Sequence, residues 1–145
     1  MNEDEDLPGR TLKEACVHTA GHAMVSRRLG YHSSWWVWGE AGKLCGRNEL
    51  IGTPSPEHTR LIALAGPAAE AIAAERGLEA DALHAGLNRL MTPRDNSAAP
   101  EFTLAEVSAC LDLLRPMLTD ILAEAREQPD VATQVKRHKS RSYYR

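Results

Sequence analysis

A chain of 145 residues has room for one domain with a modest core and little room for a second. Its 43% hydrophobic and 26% charged residues are ordinary globular values, and its 5% aromatic content, with Ala and Leu abundant, favours helix over sheet. A net charge of -3 excludes a general affinity for nucleic acid, and no apolar run approaches the ~20 residues that cross a bilayer.

The chain opens acidic, over residues 2–6, and residues 1–10 read as a flexible lead-in. An acidic start lacks the basic-then-apolar pattern of a signal peptide, so none is expected. Thr11 and Glu14 then form a Thr-x-x-Glu capping box, with Pro8 and Gly9 just outside it. They predict a helix from about Thr11 to Leu29, ended by Gly30, with Leu12, Cys16, Ala20, Ala23 and Met24 as its apolar stripe.

Trp35, Trp36, Val37 and Trp38 are strong strand formers, and Lys43 to Cys45 return as a second short strand after a turn marked by Gly39 and Gly42. Side chains alternate along a strand, so the three tryptophans cannot share one face, and at least one is expected to be partly exposed. Gly39 to Lys43 is not a phosphate loop, because its glycines are too close and Leu44 stands where Ser or Thr is needed.

Ser55 and Pro56 start a second helix that reaches about Arg76, with a kink expected at Gly66-Pro67. A third helix runs from about Glu79 to Met91, and residues 92–100 read as a loop. Thr103-x-x-Glu106 opens a last long helix that ends before Pro129, with Pro116 inside it. The segment from Lys136 to Arg145 is basic and has no apolar periodicity. It is expected to be mobile, and is the one part of the chain suited to nucleic acid or an acidic partner. The division is therefore 1–10 as an acidic N-terminus, 11–128 as the domain and 129–145 as a basic tail. Cys16, Cys45 and Cys110 are far apart and odd in number, which argues against a disulfide framework and for a cytoplasmic protein.

The sharpest chemical signal is His18-Thr19-Ala20-Gly21-His22. Two His at i and i+4 share a helix face with roughly 5–6 Å between their Cβ atoms. Both imidazoles then reach one tetrahedral metal ion. Alone the pattern is weak, since such pairs also arise by chance.

The stretch His18 to Ala23 resembles the His-Glu-Ala-Gly-His-Ala helix of the FtsH-type zinc metallopeptidases. Ala65-Gly66-Pro67-Ala68-Ala69-Glu70 is similar to that family's second helix, and Ala80-Asp81 stands where the family has Asn-Asp. The likeness covers roughly residues 11–92. It implies a mainly α, zincin-like helical peptidase domain with a short β hairpin or edge strand between its first two long helices. It also implies Zn²⁺ held by His18, His22 and Asp81, with water or a substrate atom in the fourth position. Glu70 then either orients a ligand His or faces solvent. His84 is a surface residue, a group behind the ligands or a substitute ligand. The run Trp35–Trp38 fits the family's edge strand beside the zinc, which binds extended peptides by strand addition.

The departure is Thr19, which replaces the family's catalytic Glu. A peptidase needs a carboxylate there to take a proton from the attacking water and deliver it to the leaving amine. Losing it commonly costs ~10²–10⁴ in rate. Glu14, one turn before His18, is the nearest substitute. The leading expectation is a pseudopeptidase that binds peptide or protein with little or no cleavage, and in which Thr19→Glu leaves zinc binding intact. An active peptidase using another base, and a metal-free structural or interaction protein, are the alternatives. No ATPase segment is present, so an unfolding motor would be a separate partner.

Overall fold

The computed structural model describes residues 4–127, so the basic tail lies outside the described residues. The described chain is mainly helical, with one antiparallel three-stranded sheet. Its elements are β1 (Glu5–Leu7), α1 (Leu12–Arg28), β2 (His32–Glu40), β3 (Lys43–Ile51), α2 (Pro56–Ala74), α3 (Ala80–Gly86), α4 (Pro93–Ala98), α5 (Leu104–Leu114) and α6 (Leu118–Glu127).

The helix starts are where the capping residues put them. Thr11 and Glu14 form a reciprocal box on α1, Ser55 caps α2 with Pro56 in its first turn, and Thr103 with Glu106 opens α5. The last long helix is interrupted at Pro116, where a 3₁₀ turn over Arg115–Met117 separates α5 from α6. Several assignments change. The expected third helix ends at Gly86 and is followed by a 3₁₀ turn over Leu87–Arg89, and β3 runs on from Cys45 to Ile51. Residues 5–7, expected to be flexible, form β1. The expected loop 92–100 contains α4, which Thr92 and Asp95 open with a further capping box and Pro93 at its first position.

Central β3 pairs with β1 on one side and with β2 on the other. Helix α1 lies between this sheet and α2, so every residue from Ala15 to Ala23 is buried. A helix covered on opposite sides has no solvent face to reserve for polar residues. Hence His18, Thr19 and His22 are core residues, whereas Leu12 of the expected apolar stripe is exposed.

The tryptophan run follows the alternation rule but not the expected exposure. Trp35 and Val37 join the main core against α1, whereas Trp36 and Trp38 cluster with Cys45 on the opposite face. All four residues of the run are buried, because both faces of β2 are covered. The indole N–H of Trp35 donates to Glu124 of α6 at 2.9 Å and that of Trp38 to Glu40 at 3.2 Å. Among the described residues no helix is long and apolar enough to cross a membrane.

Candidate metal centre

Helix α1 brings His18 and His22 to one face with their ring centroids 4.9 Å apart. Two carboxylates meet them, Glu5 from β1 and Asp95 from α4. Glu5 Oε1 lies 3.3 Å from the Nε2 atom of each histidine. Asp95 Oδ2 is 3.2 Å from His18 Nε2, and its Oδ1 is 3.3 Å from His22 Nε2. Ligands about 2.0–2.1 Å from a tetrahedral ion stand roughly 3.3–3.4 Å from one another. The two Glu5 separations match that tetrahedral edge, while Asp95 reaches the imidazoles with different oxygens, Oδ2 for His18 and Oδ1 for His22. Glu5, His18, His22 and Asp95 are buried and form a group that could hold a metal ion.

The outer nitrogens fix the imidazoles. His22 Nδ1 donates to the Ile62 carbonyl at 2.6 Å, and His18 Nδ1 donates to Glu70 Oε1. With the proton held on Nδ1, the lone pair of a neutral imidazole is on Nε2, facing the carboxylates. Arg10 Nε donates to Glu70 at 3.1 Å and its Nη2 to the Leu90 carbonyl at 2.5 Å, which balances the Glu70 charge. Both Nε2 atoms and Asp95 Oδ1 are buried without a hydrogen bond of acceptable geometry. Buried polar atoms are seldom left this way, and a shared cation satisfies all three.

Thr92 ties the two carboxylates together. Its hydroxyl donates to Glu5 Oε2 at 2.5 Å, and its backbone N–H donates to Asp95 Oδ2 at 3.2 Å. The same hydroxyl accepts from Asp95 N, so the α4 cap and the two carboxylates form one network. Gly66 of α2 makes room for the imidazoles. A Cβ there would lie 2.8 Å from His18 Cδ2 and 2.5 Å from His22 Cε1.

Several expectations about the site need correction. Asp81 is exposed, and its Oδ1 accepts from Ala82 N within the first turn of α3, which turns only Leu83 into the core. The carboxylate beside the histidines is Asp95 instead. His84 donates to the Phe102 carbonyl at 3.2 Å and packs on the Phe102 ring, so it fastens α3 to the chain before α5. Glu70, expected either to orient a ligand His or to face solvent, is buried and accepts from His18 Nδ1. Trp35, Trp36, Val37 and Trp38, expected as peptide-binding residues of an edge strand, are all buried, and the sheet residue beside the histidines is Glu5 of β1. Glu14 is exposed and engaged with Thr11 N at 2.8 Å, so it is not placed to act as a base.

Position 19 is closed. The Thr19 hydroxyl donates to the Ala15 carbonyl at 2.9 Å, and β3 lies against it through Gly46. A Cβ at Gly46 would strike the Thr19 hydroxyl and sit 3.1 Å from Leu7 Cδ1. Glu5 is paired directly opposite Gly46, so β1 seals the same place.

In the metal-free protein, burial alone would lower both imidazole pKa values. The negative Glu5 and Asp95 carboxylates beside both Nε2 atoms outweigh it and raise His18 well above 6.5 and His22 to about 9. The stabilising effect of His22 protonation on the metal-free fold is therefore complete below pH 6.5. It is lost as pH rises through about 9. A metal takes the neutral imidazole and releases that proton, which strengthens apparent binding roughly tenfold per pH unit for each proton displaced. The increase in melting temperature on adding zinc is therefore expected to be larger at pH 8.5 than at pH 6. Equal increases would show that these histidines do not exchange protons for metal.

No family model matches the chain, and no curated protein matches it significantly.

Proposed function

We propose that this protein is a zinc-binding, peptidase-like domain that does not hydrolyse peptides. The observation that carries the reading is the buried convergence of His18 Nε2 and His22 Nε2 on Glu5 and Asp95 at 3.2–3.3 Å. A closed set of two imidazoles and two carboxylates suits zinc better than magnesium or calcium, which prefer six or more oxygens. The resemblance of residues 18–23 and 65–70 to the FtsH-type peptidases agrees with the placement of His18, His22 and Glu70.

Two features argue against hydrolysis. Glu5 takes the position that a catalytic zinc site leaves open for water. Thr19 supplies no carboxylate for proton transfer, and its surroundings are packed. A zinc ion in this site would instead supply a cross-link among β1, α1 and α4. His18 and His22 would hold it through Nε2, with Glu70 and the Ile62 carbonyl fixing the rings and Thr92 fixing both carboxylates.

The untagged protein is expected to carry about one zinc per chain by elemental analysis and to show no chelator-sensitive cleavage of casein. His22→Ala is expected to lose the metal, whereas Asp81→Ala retains it. A metal-free wild type that takes up no zinc on titration would refute the reading. So would efficient casein cleavage that His22→Ala abolishes.

A further inference from the structure

We propose that β1 is an exchangeable ligand strand, and that the β3 edge and the metal together form a receptor for an extended acidic peptide. The peptide would carry a carboxylate side chain and, two residues later, an aliphatic one. This inference rests on the metal centre proposed above.

The template is β1 itself. Glu5, Asp6 and Leu7 pair with Gly46, Cys45 and Leu44, and Glu5 and Leu7 point inward on either side of the outward Asp6. Glu5 places Oε1 3.3 Å from both imidazoles, while Leu7 is fully buried in the main core. Backbone pairing supplies affinity in this mode of recognition, and the alternate side chains supply selectivity. The selective elements are a metal bond for a carboxylate and an apolar socket for an aliphatic side chain. Gly46 is what lets such a strand lie flat beside the histidines, since any side chain there would strike Thr19 and Leu7.

β1 contributes three paired residues and is anchored inward by Glu5, at the histidines and Thr92, and by Leu7 in the core. Its outward Asp6 makes an exposed ion pair with Lys43 at 2.9 Å. Pairs of that kind contribute little. The strand leaves through Pro8 and Gly9, where Gly9 has φ +72° and no atom near its missing side chain. A cleft of about 740 Å³ lies between this turn and the β2–β3 hairpin, lined by Leu7, Arg10 and Lys43 among others. While attached, β1 competes as a tethered ligand at millimolar effective concentration, given so short a connection to α1. Weakening its metal bond hands the position to a peptide in solution.

The test uses zinc-loaded, full-length Glu5→Ala and a fluorescein-labelled peptide spanning residues 2–10, followed by fluorescence anisotropy. The remaining ligands His18, His22 and Asp95 are expected to retain zinc. The peptide is expected to bind this variant at least tenfold more tightly than it binds wild type. Replacing the peptide residue equivalent to Glu5 by Gln, or that equivalent to Leu7 by Ser, is expected to weaken binding at least tenfold, and chelation to abolish it. If Glu5→Ala does not fold, Glu5→Gln keeps the size of the side chain and serves in the same assay. Zinc-loaded protein that ignores the peptide, or binds the Gln peptide equally well, overturns the proposal. Loss of zinc from both variants also overturns it, since the strand is then not exchangeable. A wild type without zinc removes the metal centre itself and is read separately from these outcomes.

Discussion

Removing the metal is expected to lower the melting temperature by on the order of 10 °C. A ligand that binds only the folded state at a hundred to a thousand times its dissociation constant contributes about 2.7–4.1 kcal/mol. In a domain of this size, each kcal/mol shifts the melting temperature by roughly 3–5 °C. The geometry makes folded-state binding selective, because the ligands come from β1, α1 and α4 and assemble only when those elements pack. Thermal scans with and without a strong chelator measure the effect. A change of less than about 2 °C would mean that no tightly held ion contributes to the fold. His18→Ala is expected to melt near the chelated wild type and to be indifferent to added zinc.

Thr19→Glu is expected to destabilise the protein by about 3 kcal/mol or more and to produce no peptidase. Thr19 is buried and hydrogen-bonded to Ala15, and Gly46 of β3 already lies against its hydroxyl. Overpacking a core commonly costs about 1–3 kcal/mol. A buried carboxylate without a cationic partner adds several kcal/mol more. The sequence alone suggests that zinc binding survives the change, because position 19 is not a ligand. The packing of β3 and β1 against that position adds a stability cost that the ligand argument does not include. Denaturant unfolding of Thr19→Glu beside Thr19→Ser, which keeps the hydroxyl, separates overpacking from loss of the hydrogen bond. A stable Thr19→Glu protein with chelator-sensitive cleavage would show that the site opens far more than this packing implies.

What the sequence disclosed was set by how local each signal is. Capping boxes are satisfied within four residues, so Thr11, Ser55 and Thr103 mark helix starts that the structure contains. The His18–His22 pair is equally local, since a shared face follows from helix geometry alone. Asp95 carried the same kind of signal in Thr92-Pro93-Arg94-Asp95. It was hidden because α4 has six residues and no apolar periodicity, while Asp81 sat at a position suggested by resemblance. Glu5 had no local signal at all. A three-residue strand is too short for an alternation test, and a buried glutamate runs against composition rules unless its partners are known. Those partners are Thr92 and two histidines across the core. The tryptophan run announced its strand, yet its exposure depended on what covers each face, which no alternation pattern encodes.

Zinc-edge X-ray absorption on the untagged protein tests the central claim most directly. The expected spectrum has four nitrogen or oxygen neighbours at about 2.0–2.1 Å, with the multiple scattering of two imidazoles and no sulfur. Glu5→Ala is expected to keep both imidazoles and exchange one oxygen neighbour for solvent. A sulfur shell, a single imidazole, six-coordination or protein with no zinc at all would contradict the site formed by His18, His22, Asp95 and Glu5.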